Sequence, residues 1–262
     1  MLVQRLITAA IGIPLVAGAI WVGDGLLAAV VALAVFIATM EFAAARHAQR
    51  TPMGLLSALG AAALPAAAYA GEEYLLGAIV GVIVGLSAAF TLTEDPPQDV
   101  QDWLWGVATA LYFGGLASFL VLLREAGNGR DLVFFTVLTV WITDTGAYGV
   151  GRLIGRHKLA PAISPGKTIE GTLGSFVAGF AAVFVLNEGL DLGLEIEHRV
   201  ALGLILPPVI GAGDLAESAL KRALGIKDSS GLVPGHGGIA DRLDSLLFAA
   251  PAVYYYLLWA IS

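Results

Sequence analysis

The chain has 262 residues, of which 58% are hydrophobic and 13% are charged, and its mean hydropathy is +0.82. Because a soluble domain carries about 25% charged residues, this composition excludes an ordinary soluble globular protein. The net charge is −7, and the absence of cysteine excludes disulfides, thiolate catalysis and cysteine-ligated metals.

Apolar runs long enough to cross a bilayer recur along the whole chain. A membrane-spanning helix needs about 20 mostly apolar residues, and polar breaks with Gly or Pro separate nine such runs. The sequence therefore predicts an all-α, polytopic membrane protein with about nine transmembrane helices. In chain order the predicted helices are Leu6–Val22, Leu26–Ala45, Gly54–Ala70, Tyr74–Thr93, Trp103–Leu123, Leu132–Val150, Gly171–Leu186, Val200–Leu220 and Ser245–Ile261.

The distribution of Lys and Arg predicts the orientation in the membrane. Basic residues resist translocation, whereas acidic residues have little effect. With a cytoplasmic N-terminus, eleven Lys and Arg residues lie on the inner side, and only Arg124, Arg130 and Arg199 lie outside. We therefore expect a multi-pass protein of the cytoplasmic membrane, with the N-terminus in the cytoplasm and the C-terminus outside. One inner loop, residues 94–102, is acidic and departs from this rule.

The carboxylates Asp144, Asp214 and Glu217 lie inside predicted membrane helices. A carboxylate at this depth costs about 2.5 to 3.5 kcal/mol on insertion scales, so it usually faces a protein or aqueous interior and often has a function. Asp144 lies near the inner end of the sixth helix, and Asp214 and Glu217 lie late in the eighth. Asp214, Glu217, Ser218 and Lys221 share one helix face by their spacing. The alternative interpretation is a simple Glu217–Lys221 salt bridge at a helix end.

The densest polar stretch of the chain runs from Ser218 to Asp244. Its Lys and Arg side chains suit anionic oxygens, its Asp side chains suit a hard cation, and its glycines let the backbone approach a ligand closely. This combination is typical of a site for metal-bound phosphates. The residues concerned are Lys221, Arg222, Lys227, Asp228, His236, Gly237, Gly238, Asp241, Arg242 and Asp244.

A second inner loop, Ser164 to Gly171, places Lys167 beside hydroxyl groups directly before a predicted helix. A helix N-terminus favours anions, so we expect Ser164 and Lys167 to contact phosphate. The loop is not a P-loop, because the first glycine that the G-x-x-x-x-G-K pattern requires would fall at Pro161.

The stretch from Ser218 to Asp244 resembles the signature of the phosphatidate cytidylyltransferases, also called CDP-diacylglycerol synthases. Two other segments, Asp144 to Tyr148 and Ser164 to Gly171, also look like motifs of this family, as does Gly213 to Ser218. The matching signature residues are Ser218, Lys221, Arg222, Lys227, Asp228, Pro234, His236, Gly237, Gly238, Asp241, Arg242 and Asp244.

The resemblance covers the C-terminal half, and it implies a magnesium-dependent reaction of CTP with phosphatidate that yields CDP-diacylglycerol and pyrophosphate. It also suggests a second cation and a homodimer, and we expect no nucleic-acid partner. We assign residues 1–123 to N-terminal transmembrane helices, whose role is inferred only from position. Residues 124–262 form the predicted catalytic region, with active-site loops in the cytoplasm.

Specific roles follow for the candidate residues. We predict catalytic roles for Asp214, Asp241, Lys221 and Lys227, and metal binding by Asp214, Asp241 and Asp244, with Asp144 as a weaker candidate. The remaining candidates are predicted to bind substrate. These are Lys167, Ser164, Arg222, Asp228, His236, Gly237, Gly238 and Arg242.

Two other functions fit part of the sequence. A CTP-dependent polyprenol kinase would also use a nucleotide, a metal and a membrane lipid, but it would transfer the γ-phosphate. A cation transporter would line a midplane pathway with Asp144, Asp214 and Glu217. A transporter would gain nothing from the many Lys and Arg residues beside these carboxylates.

Overall fold

The computed structural model describes residues 2–46, 51–92, 96–233, 235 and 237–260. Over these ranges the chain is mostly helical, which confirms the predicted all-α class. The α-helices are α1 (Leu2–Val22), α2 (Asp24–Ala45), α3 (Pro52–Ala70), α4 (Glu72–Phe90), α5 (Pro96–Thr109), α6 (Leu116–Glu125), α7 (Gly129–Ile154), α8 (Ile169–Gly189), α9 (Ile196–Ala223) and α10 (Ala240–Ala260). A π-helical segment, Ala110–Gly115, joins α5 to α6.

Eight helical segments within the described ranges are long and apolar enough to cross a membrane. One of them, Val100–Glu125, combines α5, the π-helical segment and α6. The first helix, α1, contributes a further apolar stretch, Ala10–Val22. The protein is therefore a multi-pass membrane protein.

A short antiparallel hairpin interrupts the helices, where the sequence predicts only a loop. Its strands, β1 (Lys158–Ala160) and β2 (Ser164–Thr168), pair Lys158 with Thr168 and Ala160 with Ser164. Strands this short leave too few residues for an alternating apolar pattern, so the sequence carries little signal for them.

The helices divide into two compact units. The first contains Met1–Ala126 and Asp228–Leu243, and the second contains Gly127–Lys227 and Asp244–Ser262. In the core of the first unit, the rings of Phe42 and Phe113 pack edge to face at 5.0 Å. The polar segment 228–243 therefore clusters with the N-terminal helices, although it follows them by about a hundred residues.

Glycines set the helix spacing in the second unit. A Cβ atom at Gly146 would overlap Ala178, and one at Gly174 would overlap Val150, so α7 and α8 can pack this closely only without these side chains. A Cβ atom at Gly213 would lie 2.8 Å from the carbonyl oxygen of Asp244. The absence of a side chain there brings α9 next to this part of α10.

Candidate functional site

Glu170 fixes the base of the hairpin in the second unit. Its Oε2 accepts hydrogen bonds from the backbone N–H groups of Arg156 at 3.0 Å and His157 at 3.2 Å, and its Oε1 lies 2.6 Å from His157 Nδ1. Thr168 ends β2 and caps α8, because its hydroxyl accepts a hydrogen bond from the Gly171 N–H at 3.1 Å. Lys167 is therefore held directly before the N-terminus of α8.

Lys167 forms an ion pair with Asp214. Its Nζ lies 2.8 Å from Asp214 Oδ2, and the two side chains remain 22% and 34% exposed. The Ser218 hydroxyl donates to the other carboxylate oxygen of Asp214 at 3.4 Å. The structure thus brings together two predicted site residues from different motifs, a lysine of the hairpin and a carboxylate of α9.

The polar face predicted on α9 is present. Glu217 is fully buried, and its Oε2 lies 2.7 Å from Lys221 Nζ. The salt bridge considered as the alternative interpretation is therefore formed, and the lysine neutralises a carboxylate whose burial without a partner would be strongly unfavourable.

Arg222 joins the end of α9 to the hairpin. Its Nε donates to the carbonyl oxygen of Ile163 at 3.1 Å, in the turn between β1 and β2, and a terminal nitrogen donates to Ile226 O at 2.7 Å. Ser164 is half-buried at the start of β2, whereas Lys227 is exposed just beyond α9. Five of the predicted basic or hydroxyl residues thus lie on or beside this hairpin and helix end, namely Ser164, Lys167, Lys221, Arg222 and Lys227.

Asp241 organises the polar loop of the first unit. It lies in the first turn of α10 and is 7% exposed. Its Oδ2 accepts hydrogen bonds from Ser229 N at 3.0 Å, Ser229 Oγ at 2.9 Å and Gly238 N at 2.8 Å. One carboxylate oxygen therefore holds residues from both ends of the loop.

A second carboxylate in this network, Glu41 of α2, is not among the residues predicted from the sequence. It is 6% exposed, and its two oxygens accept hydrogen bonds from Ser229 Oγ, Ser230 Oγ, Ile239 N and Ala240 N. A signal was available, because Glu41 interrupts an apolar run of membrane-spanning length. What it contacts could not be inferred from that signal.

Gly237 and Gly238 make room for these two carboxylates. Gly237 has a φ of +82°, which favours glycine, and a Cβ atom there would overlap the Asp241 carboxylate. A Cβ atom at Gly238 would overlap both Ser229 Oγ and the Glu41 carboxylate. The sequence predicts that these glycines admit a ligand, and the structure gives them a further role in admitting the chain's own side chains.

The other predicted residues are more peripheral. Asp228 and Arg242 are exposed in the first unit, and Asp144 is exposed on α7 in the second. Asp244, also in the second unit, accepts a hydrogen bond from Ser245 N at 2.7 Å. Pro234 and His236 lie outside the described residues.

The described residues do not form a metal site within either unit. Among the residues that the structure describes, neither unit has three His, Asp or Glu side chains grouped so that they could hold a metal ion. One oxygen of Asp214 pairs with Lys167, and one oxygen of Asp241 already accepts three hydrogen bonds. The metal assignment of the four aspartates stays a prediction.

Comparison with known sequences identifies the family. A sequence model described as the cytidylyltransferase family matches residues 3–260, almost the whole chain. The chain belongs to this family. It is therefore an enzyme, a nucleotidyltransferase, and the resemblance found in its motifs is confirmed.

Similar proteins bear a more specific name. The phosphatidate cytidylyltransferase of Staphylococcus epidermidis is 35% identical over 207 residues, which are 78% of this chain and 79% of that protein. The phosphatidate cytidylyltransferase of Staphylococcus saprophyticus is 34% identical over 209 residues, with the same coverage of 78% and 79%. That of Staphylococcus haemolyticus is 36% identical over 170 residues, 65% of each chain.

The Lys167–Asp214 ion pair predicts that Lys167 is needed for activity. Replacing Lys167 by Ala removes a charged hydrogen-bond donor, and such bonds to charged groups are worth about 1.5 to 3 kcal/mol. Cytidylyltransferase turnover at limiting substrate should therefore fall by about tenfold to a hundredfold. Lys158→Ala is the matched control, because this exposed lysine lies in the same hairpin. Equal rates for the two variants, at limiting CTP and at limiting lipid, would remove Lys167 from the site.

Proposed function

We propose that this chain transfers the cytidylyl group of CTP to phosphatidate and so makes CDP-diacylglycerol and pyrophosphate. The observation that carries the proposal is the set of relatives named phosphatidate cytidylyltransferase, at 32% to 36% identity. The multi-pass architecture supports it, because phosphatidate keeps its acyl chains in the bilayer and offers its phosphate at the membrane surface.

The transfer exchanges one phosphorus–oxygen bond for another. A phosphate oxygen of phosphatidate attacks the α-phosphorus of CTP in line, and the bond from the α-phosphorus to the bridging oxygen of the β-phosphate breaks. Pyrophosphate leaves with that electron pair. Since the attacking oxygen already carries negative charge near neutral pH, catalysis needs positioning and charge neutralisation rather than a strong general base.

The basic residues are proposed to supply this neutralisation. Lys167 and its neighbours on the hairpin and the end of α9 suit phosphate groups, because several positively charged side chains lie there. The polar loop of the first unit, with Asp228, Gly237, Gly238 and His236, is proposed to contribute to substrate binding. The proposed phosphate-binding cations are Lys167, Lys221, Arg222, Lys227 and Arg242, with Ser164 as a hydroxyl donor.

A divalent cation is expected, since the family is generally dependent on one, and we propose Mg²⁺. Its chemistry would be to neutralise phosphate charge and to stabilise the attacking and leaving oxygens. Carboxylate oxygens are its preferred protein ligands, and Asp214, Asp241, Asp244 and, more weakly, Asp144 are proposed for this role.

The setting of the reaction is also a proposal. CTP is a cytosolic anion, so the loops that bind it should face the cytoplasm, in agreement with the excess of Lys and Arg expected on that side. The chain would then lie in the cytoplasmic membrane with an inner active site. A homodimer is proposed on the family resemblance alone.

Labelled CTP tests the proposed reaction. Purified protein in detergent, with phosphatidate and Mg²⁺, should incorporate label from the α-phosphate of CTP into lipid and release unlabelled pyrophosphate. Label at the γ-phosphate should appear only in pyrophosphate. Entry of the γ-label into lipid would instead identify a lipid kinase, and the reaction without phosphatidate is the blank.

Asp241→Asn tests the metal assignment. The amide keeps a carbonyl oxygen that can accept the Ser229 and Gly238 hydrogen bonds, but it lacks the negative charge that favours a cation. We expect near-complete loss of cytidylyl transfer with an unchanged elution volume in detergent. Asp131→Asn, at an aspartate that pairs with the adjacent Arg130 at 3.0 Å, should keep the parental rate. Substantial activity of Asp241→Asn with the parental Mg²⁺ requirement would exclude Asp241 as a metal ligand.

A further inference from the structure

Glu41 is a buried carboxylate in an otherwise apolar part of α2. The candidate span Gly25–Ala45 has a mean hydropathy of 2.4, and Glu41 is 6% exposed near its end. A carboxylate buried there is strongly disfavoured unless hydrogen bonds compensate for the loss of water. The compensation comes from a segment of the same unit that is 188 to 199 residues away in sequence.

The hydrogen bonds to Glu41 come from both ends of one loop, residues 229–240. Oε1 accepts from Ser230 Oγ at 2.5 Å and from Ile239 N at 3.0 Å. Oε2 accepts from Ser229 Oγ at 3.0 Å and from Ala240 N at 2.9 Å. A single side chain therefore closes the loop, and it does so where α10 begins and backbone N–H groups lack partners within the helix.

Ser229 links Glu41 to Asp241. Its hydroxyl oxygen lies 3.0 Å from Glu41 Oε2 and 2.9 Å from Asp241 Oδ2, so its single proton can serve only one carboxylate at a time. The Ser229 N–H also donates to Asp241 at 3.0 Å. The position of Asp241, a predicted catalytic residue, is therefore coupled to that of Glu41.

The described residues of this loop, 229–233, 235 and 237–240, have little regular structure of their own. Between its ends the structure gives one isolated bridge, Val233 with Gly237, and glycines with positive φ at Gly235 and Gly237. Side-chain anchors must therefore define much of its conformation. Gly238 has no room for a Cβ atom, because the Glu41 carboxylate and Ser229 fill that space. The loop backbone at Gly238 therefore packs directly against the Glu41 side chain.

We propose that Glu41 is a positioning residue for cytidylyl transfer. It holds the two ends of this loop, residues 229–230 and 239–240, and the Asp241 carboxylate in one arrangement before substrate arrives, and it acts through them rather than by contacting substrate. The catalytic part of this proposal rests on the proposed function. The structural part, that Glu41 holds the loop, does not.

Kinetics of Glu41→Gln test the catalytic part. Glutamine has the same shape, but its amide nitrogen cannot accept a hydrogen bond, so the contact with at least one backbone N–H group, that of Ile239 or Ala240, is lost. We expect kcat to fall by about tenfold to a hundredfold with smaller changes in KM for CTP and phosphatidate, and we expect Glu41→Asp to recover part of the loss. Thr39→Ala is the matched control, because it removes a buried hydrogen bond, to Val35 O at 2.8 Å, within the same helix. Parental kcat in Glu41→Gln, or a loss equal to that of Thr39→Ala, would overturn the proposal.

Limited trypsin digestion tests the structural part without any need for activity. Lys227 is exposed and directly precedes the polar segment. Cleavage after Lys227, followed by mass spectrometry in detergent, should be several times faster in Glu41→Gln than in the parent or in Thr39→Ala. Equal cleavage rates would show that Glu41 does not hold the loop. An inactive parent enzyme would overturn the proposed function and the catalytic part, while the digestion would still decide the structural part.

Discussion

A carboxylate inside an apolar helix must have hydrogen-bond donors, and the start of a helix must have acceptors. Glu41 and the start of α10 meet both needs at once, since the carboxylate accepts the N–H groups of Ile239 and Ala240. The arrangement of the first unit's polar loop depends on these hydrogen bonds between the Glu41 carboxylate and the start of α10. Asp241 likewise accepts backbone N–H groups, those of Ser229 and Gly238. Gly237 and Gly238, which have no side chain, leave the space that the two carboxylates occupy.

The second unit follows the same rule with ion pairs. Lys221 neutralises the fully buried Glu217, and Lys167 pairs with the more exposed Asp214. The two ion pairs differ in how much free energy is needed to separate them. A buried pair is costly to separate, whereas the partly exposed ammonium of Lys167 can exchange its carboxylate for a phosphate oxygen at smaller cost. Lys167 is therefore better suited than Lys221 to bind a substrate phosphate.

Much of this molecule could be predicted from its sequence because lipid imposes simple requirements. Apolar runs of about 20 residues, separated by Gly, Pro and charge, indicate membrane helices, and the face of α9 that carries Asp214 and Lys221 follows from helical spacing alone. The family resemblance also allowed a reaction to be predicted, cytidylyl transfer, which the comparisons with similar proteins support. The metal ligands could be proposed from residue type, but residue type says nothing of the hydrogen bonds that Asp214 and Asp241 also make.

The features that were missed depend on long-range contacts or on subtle backbone geometry. The hairpin at Lys158–Thr168 is too short for a periodic signal, and the π-helical segment Ala110–Gly115 has the composition of an ordinary helix. Glu41 could have been noticed as a charge in an apolar run. Its pairing with residues almost two hundred positions away could not, because one sequence carries no record of which distant residues are neighbours.

Glu41 and Asp241 are proposed to hold the ends of the polar loop in place before any substrate binds. Hydrogen–deuterium exchange of the substrate-free parent protein in detergent tests this most directly. We expect the N–H groups that donate to the two carboxylates to exchange at least about tenfold more slowly than those of an unstructured peptide. These are the N–H groups of Ser229, Gly238, Ile239 and Ala240. Exchange of these four groups at the unstructured rate, with protection only after CTP is added, would contradict it.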